Sequence, residues 1–394
     1  MITKLTVESF KSLEKVEVSL GHVNVFVGAN GSGKSNLLEA LGVLSAAAAG
    51  RVDDEALMRR GVRPGVPKLY KCAFPGRQPL HIFFGAENEK SRYEVSLFNP
   101  SSDPKPAWRY HTERWECGPE LIVGRSHRML PRPNPEAGLA ALHAVERPPG
   151  DPALRLLNTL RDYAIYEPNT LTLRGIVPEN QPREPVGLSG GGLPAAVLAL
   201  LRARHKNERI REALRSFYEL IDWAKRIGAG PSSLLPLSPS AATSRQAIRF
   251  VDRFMAEGRN VLSGADASEG ALYVLFAAVV ALDERAPQLL AVDNADHGLN
   301  PRLARALIKH LSQWVLENPQ PRQLLLTTHN PQVLDGLPIQ DDRVRLFTVS
   351  RSNSGRTLVR RVVVDEKLLA MVAKDDWTLS RLWVMGHLGG VPNV

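Results

Sequence analysis

Eight consecutive residues carry the clearest chemistry in this chain. Gly28, Ala29, Asn30, Gly31, Ser32, Gly33, Lys34 and Ser35 satisfy the pattern G-x-x-x-x-G-K-S. Glycines at these positions let the backbone curl so that successive N–H groups point at phosphate oxygens, and a lysine at the seventh position neutralises β- and γ-phosphate charge. The Ser35 hydroxyl is the expected ligand for Mg²⁺ at the start of a helix, where the dipole also favours anions. ATP is the expected nucleotide. Asn30, Gly31, Ser32, Gly33, Lys34, Ser35 and the following Asn36 form its expected contact set.

A triphosphate cradle needs a carboxylate on a neighbouring strand to hold the metal. The run LLAVDNADHGLNP gives four apolar residues and then Asp293, which is expected to share Mg²⁺ with Ser35. A further apolar run, QLLLTTHN, ends in His329, which at the mouth of a strand beside the loop could position water or sense the γ-phosphate.

The elements that must place these groups alternate between strand and helix patterns. Residues 2–8 and 14–20 alternate apolar and polar, 22–27 form a short apolar strand leading into the loop, and a helix runs from 36 towards Ala49 and Gly50. KLYKCAF, LHIFFGAE and SRYEVSLF read as antiparallel strands with turns at Pro75–Gly76 and 88–90. The proline-rich stretch 131–152 reads as an exposed loop, and 195–203 and 208–227 as helices. A connector follows over 228–244, then helices over 246–257 and 269–283, a buried strand over 288–293, a helix over 301–315 and a strand over 322–327. Apolar strands alternating with helices imply an α/β fold whose mainly parallel sheet is covered on both faces. The division expected is 1–65 for the first part of the head, 66–130 for an inserted antiparallel β lobe and 131–260 for a loop-rich helical insertion; 261–350 then complete the head, and 351–394 form a strand pair and terminal helix.

With 394 residues and 43% apolar content the chain can build a large core. Its longest apolar run, 271–282, is too short to span a bilayer. The N-terminus lacks the apolar block of a signal peptide, so a cytoplasmic location without membrane contact is expected. Cys72 and Cys117 make neither a disulfide framework nor a metal pattern. The net charge of +9 favours polyanionic partners such as DNA or RNA.

The opening ESFKSLEKVEVSLGHVNVFVGANGSGKSNLLEAL, with AVDNADHGLNPRLARAL and LLLTTHNPQVLD, resembles the RecF/SMC/OLD-type ABC ATPase superfamily of AAA-like P-loop proteins over roughly 1–50 and 260–350. The resemblance implies heads that pair head to tail around two ATP molecules as a homodimer or higher oligomer. It implies that the Ser268-Glu269-Gly270 segment, at a helix start, contacts nucleotide on a partner head, and that Lys11 and Ser12 match an F-[KR]-S segment near the nucleotide. It also implies a glutamate directly after Asp293 as the base that polarises water, where this chain has Asn294. An amide cannot take a proton there, so hydrolysis is slow, Asp296 or His329 shares the task, or the position has been altered.

Such a compact head without long arms is expected to be the ATPase or sensor of a bacterial anti-phage defence system that controls a separate nuclease or toxin subunit. The sixty-five residues after His329 are too few for the Toprim nuclease found in OLD relatives. The alternative is a DNA-binding repair ATPase of RecF type. Trp377 and Trp383 mark the terminal helix as a segment that either docks on the core or meets a partner.

Overall fold

The computed structural model describes residues 1–75, 79–126, 129, 133–235, 245–363 and 377–390. The chain opens with the hairpin β1 (Lys4–Phe10) and β2 (Leu13–Ser19), then β3 (Val23–Val27) and the helix α1 (Lys34–Ala48). Short helices α2 (Asp54–Met58) and α3 (Pro67–Tyr70) lead to strands β4 (His81–Glu87), β5 (Ser91–Phe98), β6 (Arg109–Cys117) and β7 (Glu120–Arg125). Helices α4 (Leu139–Glu146) and α5 (Leu154–Arg161) precede β8 (Ala164–Tyr166), α6 (Thr170–Leu173), α7 (Leu193–Ala203) and α8 (Glu208–Leu220). Next come β9 (Ala224–Pro231), β10 (Gln246–Asp252), β11 (Val261–Ser263), α9 (Glu269–Leu282), β12 (Leu289–Val292), α10 (Pro301–Leu316) and β13 (Gln323–Thr328). A hairpin, β14 (Val344–Arg351) and β15 (Thr357–Val362), and a helix α11 (Leu379–Val384) complete the described residues.

The central sheet has the order β15-β14-β3-β13-β12-β8, parallel throughout except for β15. Its inner strands are buried along their whole length, as the unbroken runs VNVFV, LLAV and QLLLTT require when helices or a second sheet cover both faces. Alternate residues serve opposite cores. Val23, Val25, Val27, Leu324 and Leu326 pack with helices α7 to α11. Phe26, Leu289, Ala291 and Leu325 face α1, and Phe26 stacks on Phe347 at 4.9 Å.

On that second face α1 is clasped between two sheets, with thirteen of its fifteen residues buried. The outer sheet has the order β2-β1-β4-β5-β6-β7, all antiparallel, so the strands after α1 extend the N-terminal hairpin, β4 pairing with β1. The expected strand KLYKCAF instead starts as the single helical turn α3, with Pro67 in its first turn and Lys71 making only an isolated bridge to Phe10.

Two further expectations are corrected. The segment 246–257, read as helix, begins with strand β10, because Ile248, Phe250 and Asp252 alternate into the core against β9 and β11. The stretch 131–152, read as loop throughout, contains α4, whose first amides bond the buried Glu113 carboxylate at 2.7 and 3.1 Å. Residues 76, 131, 132 and 236–244 of the expected turn, loop and connector lie outside the described residues. The terminal helix docks on the core: Leu382 and Trp383 are buried, and Ser380 bonds both oxygens of Asp335.

Arg322, 1% exposed, locks α9 to the sheet. Its guanidinium donates to the carbonyls of Val280, Ala281, Asp283 and Ala286 at 2.6–3.2 Å, capping the helix end just before β13 begins. Burial pulls its pKa down to about 10. Arg322→Met is expected to lower unfolding free energy by about 3 kcal/mol in urea titrations, because four buried acceptors lose their donor.

Candidate functional site

The loop after β3 bends where the sequence supplies glycine. A Cβ at Gly28 would stand 2.1 Å from the Val349 carbonyl oxygen, and Gly31 and Gly33 have φ of 72° and 110°, the left-handed region that glycine enters without strain. Gly33 also lies against the Thr357 hydroxyl, which a Cβ would approach to 2.2 Å. Lys34, 5% exposed, curls back over the loop and donates to the carbonyls of Gly28 (2.8 Å) and Ala29 (2.9 Å). Burial lowers its pKa, while the negative charges of Asp293 and Asp296 act in the opposite direction. The buried Ser32 hydroxyl has no partner. A close-packed cradle with a lysine across it and an orphaned hydroxyl fits a polyphosphate.

The loop is held from outside by residues far away in sequence. Thr357 Oγ1 lies 2.8 Å from both Ser12 Oγ and the Ser32 carbonyl, and its N–H donates to the Ser12 carbonyl at 2.9 Å. Asn36 Nδ2 donates to Ser12 Oγ at 2.8 Å, and Arg351 Nε donates to the Gly31 carbonyl at 2.8 Å. Ser12 and Asn36 thus meet beside the loop. Lys11, at φ 47°, sends its ammonium to the buried carboxylate of Glu39 on α1, which also accepts from Arg63 Nε at 2.6 Å. Burial lowers the Lys11 pKa despite Glu39; burial alone would raise Glu39, but Arg63 and Lys11 outweigh it and hold that carboxyl below its ordinary value.

At the carboxyl ends of the parallel strands, Asp293 follows β12 and its carboxylate accepts from the Thr327 hydroxyl on β13. The Asn294 N–H donates to Thr327 Oγ1 at 2.9 Å. Asn294 has φ 53°, a conformation asparagine tolerates better than glutamate does. One oxygen of Asp296 is buried without a partner. His329 follows β13 in a register that pairs Thr328 with Val27, so it lies beside Gly28, exposed. Ser35 is half-buried in the first turn of α1 and Asn30 exposed on the loop.

Ser268 caps α9 without a side-chain cap bond and is exposed. Gly270, two residues on, abuts Leu303 and Leu299. Among the described residues no hydrogen bond joins Ser268 or Gly270 to the loop of their own chain.

Two family models match this chain: one described as "AAA domain, putative AbiEii toxin, Type IV TA system" over residues 161–335, and one described as "AAA ATPase domain" over 1–69. Stretches are 42% identical to the DNA replication and repair protein RecF of Streptomyces avermitilis over 107 residues (27% of this chain, 28% of that protein), and to RecF of Leifsonia xyli over 67 residues (16% and 17%). The matches therefore cover under a third of those relatives. Of solved structures, an Smc head bound to the C-terminal winged-helix domain of ScpA aligns over 93% of this chain and 99% of its own, with a TM-score of 0.53 at 13% identity. A Pyrococcus furiosus Smc head bound to the C-terminal domain of ScpA aligns over 95% and 99%, with a TM-score of 0.51 at 14% identity. The chain is thus similar in parts to AAA-type ATPase domains and to RecF, and over most of its length it shares the fold of Smc heads.

Its fold is accordingly that of an ABC-type P-loop head, as the sequence led us to expect. Among the described residues no helix is long and apolar enough to cross a membrane.

Sequence reasoning missed four groups around the loop. Thr357 and Arg351 reach it from more than 300 residues away, with no motif to announce them. Arg63 follows a short helix. Glu167 follows β8, whose register pairs Tyr166 with Val292, placing Glu167 beside Asp293; both carboxylates also act on Arg63. Thr357→Val, which removes the hydroxyl between Ser12 and the loop, is expected to weaken binding of a fluorescent ATP analogue by about tenfold without loss of fold.

Proposed function

We propose that the chain binds ATP with Mg²⁺ at Gly28–Ser35 and hydrolyses it slowly, using the bound state to switch between open and paired heads. One observation carries this reading: Lys34 lies across a glycine-built loop, with Asp293 at the carboxyl end of a strand of the same sheet, while position 294 bears an amide. Asn30 to Asn36 would line the triphosphate, and Ser35 with Asp293 would hold the metal, which supplies charge neutralisation at the β- and γ-phosphates. Lys11 is tied to Glu39 and Ser12 to Asn36 and Thr357, an arrangement that would stiffen the wall of the site.

Asn294 can orient water but cannot accept its proton. The unpartnered oxygen of Asp296 makes that residue the favoured carboxylate for the task, with Glu167 at the neighbouring strand end and the exposed His329 as further groups in reach of the strand mouths. Asp296→Asn is expected to lower single-turnover hydrolysis by about a hundredfold while leaving ATP-analogue affinity within about twofold. Unchanged hydrolysis in that variant and in Glu167→Gln would falsify carboxylate-assisted water activation.

The exposed Ser268, at the N-terminus of α9, supports a role across a two-fold pair of heads. Ser268→Arg is expected to abolish an ATP-dependent rise in mass by light scattering while leaving nucleotide affinity intact.

In its biological setting we read the chain as the ATPase or sensor of a bacterial anti-phage defence system that governs a separate nuclease or toxin. The toxin–antitoxin description of the family matching 161–335 supports that reading. The RecF stretches support the second reading, a DNA repair ATPase. Co-purification of a nuclease or toxin subunit from the native host favours the first, and its absence together with damage sensitivity on gene deletion favours the second.

A further inference from the structure

The helices α7 and α8 carry a basic concentration that the nucleotide site does not use. Between Arg202 and Tyr218 six arginines and lysines face two glutamates. Arg204 and His205 at the end of α7 join Arg211, Arg215 and Tyr218 on α8, spaced at helical intervals along one face, to line an open groove of about 370 Å³ floored by Leu214. All five lining side chains named before Leu214 are exposed, Tyr218 by 37%. Among the described residues Arg204 and Arg215 have no carboxylate partner, and Arg211 meets only Glu208, at 3.8 Å on the surface, where such a pair holds little.

We infer that this groove binds the sugar–phosphate backbone of a single-stranded nucleic acid. Guanidinium groups are planar forks suited to phosphate oxygens. Arg211 and Arg215 lie ~6 Å apart along the helix, so the groove meets more than one phosphate of a strand. Tyr218 at the groove edge offers a ring face on which a base can stack. A bilayer surface fits less well, because Leu214 is buried and no exposed aliphatic side chain lines the groove. The groove is also separate from the ATP site. Lys206 and Asn207 beside it line a neighbouring cavity with Leu282 to Arg285, at the C-terminal end of α9, the opposite end from Ser268. The inference goes beyond the nucleotide reading and holds or fails without it.

The test is fluorescence anisotropy with a labelled oligothymidylate of about twenty nucleotides, titrated with the full chain over a salt series. A duplex of the same length and phosphatidylserine vesicles serve as competitors. Binding that weakens with salt is expected. The double variant Arg204→Glu, Arg215→Glu should lose at least about tenfold in affinity and reduce the salt slope by about 1.4. Tyr218→Ala should lose about tenfold while leaving the slope unchanged. Both variants should retain the wild-type melting temperature and ATP-analogue affinity. Wild-type affinity in the folded double variant, tighter binding to the duplex, competition by vesicles alone, or no binding by the wild-type chain would each overturn the inference. Loss of ATP binding in Lys34→Ala with oligonucleotide binding intact would show that the two sites are independent.

Discussion

The absence of a side chain at Gly28 is the constraint on which the site depends. The Val349 carbonyl oxygen occupies the space a Cβ would need, so the loop can leave β3 and turn beneath β14 only as glycine. That close approach brings the β14–β15 hairpin over the loop, and with it Arg351 and Thr357. They take up carbonyl oxygens of Gly31 and Ser32 that would otherwise face solvent or be left without donors. The glycine loop is therefore clasped by the β14–β15 hairpin and by Ser12, with Lys34 resting on the carbonyls at its entry.

The rest of the head serves to hold that assembly in register. With α1 clasped between sheets, the loop's helical continuation has almost no surface on which to shift. The register pairs Val292 of β12 with Leu326 of β13, which runs two residues further, so Thr327 can engage both Asp293 and the Asn294 amide. On the far face Arg322 fixes the end of α9 to the start of β13, tying the helix that begins at Ser268 to the same sheet that carries the acidic residues.

What could be read beforehand follows from how local each signal is. The loop, the strand before Asp293 and the strand before His329 are contiguous patterns, and from them the parallel core and the resemblance to ABC-type ATPase heads could be read. β8 is three residues long, too short for a periodicity to register, although it places Glu167 beside Asp293. The strand QAIRFVD was mistaken for helix because its alternation spans only seven residues, its partner β11 has three, and its other partner β9 falls across the expected helix 208–227 and connector 228–244. Thr357 and Arg351 act through tertiary proximity alone, so no window of sequence contains their relation to Gly31 or Ser32. The left-handed backbone at Asn294 is likewise invisible in the sequence, yet it gives a conformational reason why an amide side chain sits comfortably there.

Completion of the loop by Thr357 and Arg351 has a consequence for biosynthesis. A ribosome makes the glycine turn early and its two clasps more than 300 residues later, and the first strand likewise waits for Gln323, whose side chain bonds Ile2 and Gly21. A nascent chain released no further than residue 350 would carry the motif without its fastening. The loop would take its clasped shape only after the β14–β15 hairpin had followed it out of the ribosome.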